Sequence, residues 1–540
     1  MLSSRFLRVV VLPALLLAAT AGLGCYYETN DDLSITLLLQ GSTAAAPVTD
    51  LHLYFHGLAP LLAALYQQWP GLPWYGLTLY GLLYAATGLA FAVLDKLLRT
   101  RLPARFLVLV LLGFYALAWL EHGLWFSYVR VPVLLAGSAL LLAAQRLGRR
   151  RILAVALLAV VLAGLIRPSA AGLGLLVAAP GAMWLAGRRG ASLAGGALAL
   201  VVVGSGVLAL TSSALVANYR TLDVLKSNLN DYQLYQPTAH TSTTDQLGLT
   251  AVGHWAFGDS TLVNQALFAR STRLQPDYFL PAVLPAKLTT LGSLLVRDYF
   301  ALLLLQVLLW LRVAQSQRYP HRQRFWLAQL AVLGLLVGLG GLLKLPPRLG
   351  MPICSLWLLS NLAYVFQDSR RQLPRFSPAF FAVLILLLLA YAFKTTHRVQ
   401  VLRQERARGL AVLLPLQTLT QQGQLLVAAG LESAYKSQSP FQVLHFAPGS
   451  VVALTGWPTL DPSQAPLREQ LTGTRHWPTA LTRLAARPQA QWWLAPEIVP
   501  WLQAYWSAHG WRATLQSYAP AVPTAAGLPQ HYRVRVEKMK

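Results

Sequence analysis

Apolar residues gather in long runs over roughly the first four hundred positions, at 6–24, 75–94, 106–120, 131–145, 152–166, 169–186, 191–211, 298–314, 325–343, 349–366 and 377–393. Runs of about 15 to 23 such residues are long enough to cross a hydrocarbon core of about 30 Å. The pattern predicts an all-α polytopic membrane bundle of about 11 transmembrane helices. Beyond 394 the rhythm changes. Apolar runs shorten to strand length ("VLHFA", "VVALTGW", "QWWLAP", "YRVRVEK") and alternate with helical stretches such as "APLREQLTG" and "EIVPWLQAYWSAHG". That alternation predicts a small α/β domain over 394–540, following a membrane domain over 1–393. Trp492, Trp493, Trp501, Trp506 and Trp511 in this tail read as core or interface packing ahead of sugar stacking.

Composition supports the membrane reading: the chain is 55% hydrophobic and only 12% charged, against about 25% charged in soluble domains. The net charge of +25 would invite nucleic acid, but its distribution argues otherwise. Lys96, Arg99, Arg101 and Arg105, then Arg146 with Arg149 to Arg151, Arg188 and Arg189, Arg318, Arg322 and Arg324, and Arg370, Arg371 and Arg375 all sit in turns between apolar runs. Such clusters mark cytoplasmic loops, and no basic patch has aromatics interleaved for base stacking. With Arg5 and Arg8 they place the amino terminus in the cytoplasm and the carboxy-terminal domain outside, in a multi-pass protein of a bacterial plasma (inner) membrane. Two cysteines, Cys25 and Cys354, exclude a disulfide framework and a thiolate metal site. "AGLGC" at 21–25 approaches a lipoprotein cleavage site, but Gly22 stands where leucine is usual, so the first run reads as a retained helix.

This orientation exports three pieces: 25–74, 212–297 and the tail. The first holds Glu28, Asp31, Asp32 and Asp50 and contains no Lys or Arg. Within it "LYFHGLAPLLAALYQQ" reads as an amphipathic helix lying along the interface, and "DDLSITLLLQ" is a second candidate for one, with the acids near its positive amino end. Carboxylates at the lipid–water boundary suit a general base. The complementary cations are Arg130, Arg167, Lys344 and Arg348, in turns on the same side. Guanidinium and ammonium groups there would bind the phosphate of a lipid-linked substrate.

The acid pair just after the first span, the following "H-x-x-G-x-x-P-L" helix, the "WPGLPWYGL" stretch leading into the second span and the basic turn "KLPPRLGMP" together resemble the GT-C superfamily of integral-membrane glycosyltransferases. The first-loop signature departs from the Asp-Glu of its protein-mannosyltransferase and aminoarabinose-transferase branches, which leaves the sugar open. The resemblance implies an inverting hexosyl or pentosyl transfer from a polyprenyl-phosphate-linked sugar donor to a glycan, lipid or protein acceptor. Asp31 would be the base and Asp32 its partner or substitute. Glu28, His56, Arg130, Arg167, Lys344 and Arg348 would contact substrate, amid membrane lipids and without nucleic acid. No cofactor is implied and no metal site is assigned, although Glu28, Asp31, Asp32 and His56 leave room for a divalent cation. His56, and Glu121 with His122, are candidates to complete the site, with a hydrogen-bonded structural role favoured for each.

Two other classes compete. An envelope polysaccharide polymerase or ligase would place its key residues in 212–297, where Arg220, His240, His254 and Arg270 stand. A transporter or flippase would show paired repeats and midplane charges, and the chain carries no internal repeat.

Overall fold

The computed structural model describes residues 4–238, 241–316, 319–367, 378–518 and 528–539. Of the residues singled out above, His240, Arg318, Arg370, Arg371 and Arg375 lie outside them. The chain forms two compact units, each assembled from three stretches of sequence.

The first unit, Met1–Glu28, Gly76–Thr211 and Leu284–Arg403, is helical. Among the described residues, nine helices are long and apolar enough to cross a membrane: Ser4–Leu23, Trp74–Leu98, Ala104–Leu124, Pro168–Ala186, Arg188–Leu210, Pro276–Arg297, Arg322–Leu342, Pro347–Phe366 and Phe381–Gln421. Arg130–Gln145 and Phe300–Ala314 are shorter apolar helices. Helices satisfy their backbone groups internally, as a hydrocarbon environment demands. Small residues set their spacing. A Cβ on Gly174 would fall 2.2 Å from the Val133 carbonyl oxygen, so glycine alone lets Pro168–Ala186 lie against Arg130–Gln145. Buried amides fix register elsewhere. Asn361 donates to Gln306 (2.7 Å) and Gln329 (2.8 Å), while Trp357 and Trp310 both donate to Gln329 Oε1.

The two ends of this unit differ in chemistry. At one end Arg8 pairs with Asp95 at 2.8 Å, Lys96 donates to the Gln145 carbonyl, Arg146 to that of Ala92, and Arg101 to that of Phe366. Several of the basic turns therefore converge there. The other end carries Glu28, Glu121, His122, Arg130, Asp298, Lys394 and Arg398, joined by the contacts described below. Short parallel strands β1 (Tyr26–Tyr27) and β2 (Trp125–Phe126) close that end.

The second unit is Thr29–Tyr75, Ser212–Val283 and Gln404–Lys540. It holds a small antiparallel pair, β3 (Tyr235–Pro237) and β4 (Thr272–Leu274), and a five-stranded mixed sheet. The sheet is built from β5 (Leu425–Ala429), β6 (Val451–Ala453), β7 (Ala490–Leu494), β8 (Trp511–Ser517) and β9 (Gln530–Lys538), in the order β6-β5-β7-β9-β8. β5 pairs in parallel with β6 and β7, and β9 runs antiparallel to β7 and β8. Every residue of β5 is buried, because alternate side chains point to opposite faces and both faces are covered. Leu425, Val427 and Ala429 face a core shared with Leu222, Val252, Phe257, Leu267, Trp501 and Tyr505. Leu426 and Ala428 face a core shared with Leu33, Leu37, Leu413 and Leu416.

Three expectations change here. The tail is not a domain by itself, because both faces of its sheet are completed by residues from 29–75 and 212–283. The helix Asp31–Gln40 is buried from Asp32 through Leu39, since it packs into one of these cores rather than lying on a lipid surface. "VLHFA" forms no strand. Trp492, Trp501 and Trp506 are core residues, as their pattern predicts.

Candidate functional site

In the second unit, the acid pair opens a helix. Asn30 precedes Asp31–Gln40, whose first turn contains both Asp31 and Asp32, where the free backbone N–H groups favour negative charge. Their surroundings differ. Asp32 is fully buried. Its Oδ1 accepts from the Tyr75 hydroxyl at 2.9 Å and its Oδ2 from Thr29 at 3.3 Å. Tyr75 is held in turn, its N–H donating to the Tyr66 hydroxyl at 3.0 Å and its ring packing on Phe55. Burial pushes that Tyr66 hydroxyl up to about 12, so it stays protonated. Asp31, one position earlier, is only half-buried, with Thr29 at 3.5 Å from its Oδ2.

His56 lies in the next turn of the same unit. The loop leading to it is strained twice, with left-handed backbone at His52 (φ 57°) and Phe55 (φ 56°). His52 pairs with Asp50 at 3.0 Å, and Arg220 donates to the His52 carbonyl. Burial, and then the Arg220 guanidinium, hold the His56 imidazole below its ordinary value, so it is neutral near pH 7.

In the first unit, Glu28 and Arg130 form a buried pair. Arg130 Nε donates to Glu28 Oε2 at 2.8 Å, with Nη2 in ion-pair contact with the same oxygen at 2.7 Å, and the Arg348 backbone N–H donates to Oε1 at 2.8 Å. Arg130 Nη1 lies 3.2 Å from His122 Nδ1, and the other ring nitrogen of His122 is 3.0 Å from Ser355 Oγ. Arg167 donates to the Tyr128 hydroxyl at 2.9 Å and stacks over its ring. Lys344 is exposed, and the Arg348 side chain is half-buried.

Beside this pair lies a second ionic cluster. Glu121 accepts from the Tyr391 hydroxyl at 2.8 Å and pairs with Lys394 and, at 3.5 Å, with Arg398. Arg398 also pairs with Asp298, and its guanidinium stacks over the Trp125 ring at 4.3 Å. Arg130 lies over the same ring at 5.5 Å.

Within the helical unit, then, Glu28, Arg130 and the Arg348 backbone come together. Arg167 is linked nearby through Tyr128, while Lys344 sits on the loop before Pro347–Phe366. Within the second unit, Asp31 and Asp32 share a helical turn, and His56 belongs to the Asp50–His52–Arg220 cluster. Sequence reasoning missed Tyr75, Thr29, Asp298, Lys394 and Arg398. The spacing of Lys394 and Arg398, one helical turn apart just past the last apolar run, was the available signal for those two. Of the residues a polymerase or ligase would use, Arg270 forms a bidentate pair with Asp245, and Arg220 holds the 52-loop. Among the described residues no group of three or more His, Cys, Asp or Glu side chains converges as a metal-binding set.

No protein-family model, curated protein or solved structure matches this chain.

Proposed function

We propose that this chain is a polytopic glycosyltransferase of the GT-C type, moving a sugar from a polyprenyl-phosphate donor to an acceptor hydroxyl on the outer face of the membrane. The observation that carries the reading is the acid pair in one helical turn directly after the first span. Asp32 is clamped by Tyr75 and Thr29, whereas Asp31 keeps access to its surroundings. A buried, doubly bonded carboxylate orients; a half-buried neighbour takes a proton.

In the reaction, Asp31 removes the proton from the acceptor hydroxyl. That oxygen forms a bond to the anomeric carbon while the bond from this carbon to the phosphate oxygen breaks. The electron pair leaves with the polyprenyl phosphate, and configuration inverts. Charge grows on the departing phosphate oxygen and calls for cations. Arg130 is held by Glu28, and the resemblance gives the phosphate role to Arg167, Lys344 and Arg348.

The reading includes eleven crossings. The seven in the first half are Ser4–Leu23, Trp74–Leu98, Ala104–Leu124, Arg130–Gln145, Arg150–Ile166, Pro168–Ala186 and Arg188–Leu210. The four in the second half are Phe300–Ala314, Arg322–Leu342, Pro347–Phe366 and the part of Pro378–Gln421 before Lys394. The contacts at the Arg8 end and the Glu28 end support these turns of direction. The basic character of the Arg8 end supports a cytoplasmic location for it.

The test is transfer of labelled sugar from a panel of polyprenyl-phosphate sugars by the purified full chain in detergent. Asp31→Asn should lose about 10²- to 10⁴-fold in rate, the range for removing a general base, with its thermal unfolding unchanged. Asp32→Asn should lose activity as well, and Arg348→Ala should raise the donor concentration needed far more than the acceptor concentration. Undiminished transfer by both Asn variants sinks the proposal.

A further inference from the structure

Residues 284–297 belong to a stretch, Pro276–Arg297, that is long and apolar enough to span a bilayer. We infer instead that helix Leu284–Arg297 lies flat in the headgroup–acyl boundary at the Glu28 end of the helical unit, with lipid as the partner of its uncovered apolar side. The inference does not depend on the transfer chemistry.

Both ends of the helix touch the same end of the bundle. Near its start, Lys287 Nζ donates to the Leu343 carbonyl at 2.7 Å, four residues before the Pro347–Phe366 helix whose Arg348 N–H binds Glu28. Just past its finish, the Asp298 carbonyl accepts from Lys394 at 2.8 Å, and Lys394 pairs with Glu121, the neighbour of His122. A crossing helix would have its ends at opposite faces.

The two sides of the helix differ. Leu284, Leu288, Leu291 and Leu295 recur at helical spacing. Three of them pack on the last turn of Arg322–Leu342, where glycine makes room. Leu291 comes within 2.9 Å of where a Cβ on Gly340 would stand, and Leu284 within 3.0 Å of the equivalent point on Gly341. Leu288 is still 39% exposed. On the other side, Ala286, Thr289, Thr290, Ser293 and Val296 are exposed. An apolar stripe continuous with the bundle's own apolar flank, backed by a hydroxyl-bearing face, is the pattern of a helix at the membrane surface.

Counting crossings gives an independent argument. The second unit shares its cores among 29–75, 212–283 and 404–540, so all three stretches must lie on one side of the membrane. An even number of crossings must then separate each stretch from the next. Phe300–Ala314, Arg322–Leu342, Pro347–Phe366 and the start of Pro378–Gln421 make four between Val283 and Gln404. Adding 284–297 as a crossing would make the number odd.

The experiment places an environment-sensitive fluorophore on single cysteines introduced at Leu288, Thr289, Ser293 and Val296 of the full chain in phosphatidylcholine vesicles. Val203, exposed within Arg188–Leu210, serves as the deep control, and the buried native Cys25 and Cys354 are replaced by alanine. Quenching is measured with lipids labelled near the headgroup, with lipids labelled deep in the acyl chain, and with aqueous iodide. Leu288 should respond several-fold more to the shallow lipid quencher than to the deep one, Thr289, Ser293 and Val296 to iodide, and Val203 to the deep quencher. Strongest deep quenching at 288–293 means the segment crosses and overturns the inference. Quenching by iodide alone at all four positions also overturns it, because the helix then stands clear of lipid. Four separate exposed positions keep the test decisive if one variant fails to fold.

Discussion

Arg130 is fully buried and spends its charge on Glu28, with His122, Ser355 and the Arg348 backbone completing the set. Removing one partner strands the other in a medium that solvates it poorly. Arg130→Ala should therefore destabilise the protein by about 3–5 kcal/mol, seen as a lower unfolding temperature in detergent. Combining it with Glu28→Gln should cost less than the two single changes summed, because the second change removes the stranded charge. At this scale the sequence exposes acids well and their partners poorly. Asp31 and Asp32 stand out because no Lys or Arg shares their loop. Tyr75 and Thr29 are ordinary residue types, and only tertiary placement shows them holding Asp32. Arg130 reads from sequence as a helix-end cation reaching for water or phosphate; in the fold it has neither surface exposure nor a vacant role.

At the scale of the element, helices here are positioned by what they omit as much as by what they carry. Gly174 has a backbone carbonyl, not a flexible side chain, where a methyl group would go. Gly174→Ala should thus separate Pro168–Ala186 from Arg130–Gln145 and destabilise by about 1–3 kcal/mol or more. Gly195→Ala, with nothing within 4 Å of its added Cβ, should be neutral in the same unfolding measurement. Apolar runs announce such helices because length and hydropathy are local properties. Burial inside a folded unit is not local, which is why Asp31–Gln40 resembles a surface-lying helix from its sequence and proves to be a core element. The strands that were legible, β6, β7 and β9, carry β-branched or aromatic residues, adjacent in β6 and β7 and alternating in β9. "VLHFA" has the same look but no neighbouring strand to complete it.

For the whole molecule, the division into two units cuts across the order of the sequence. The composition changes near residue 394, inside the helix Pro378–Gln421, and it cannot show that earlier loops finish the tail's cores. Those contacts join residues hundreds of positions apart and leave no periodic trace. Cutting the chain after Arg403 should therefore do more than remove a tail. Residues 29–75 and 212–283, left without β5 and its neighbours, should become protease-sensitive in membranes while the helical unit stays protected. If both stretches resist protease in the truncated protein, the shared cores are dispensable.

The same sharing governs how the protein is made. Leu33 and Leu37 emerge early, but their partners Leu413, Leu416, Leu426 and Ala428 are encoded more than three hundred residues later. At about 5–20 residues per second, ribosomes need of the order of half a minute to supply them. Throughout that wait a leucine-rich segment bearing the acid pair stands without its permanent neighbours. Chaperoning of half-built chains, not only the stability of finished ones, is therefore expected to limit how much of this protein a cell accumulates.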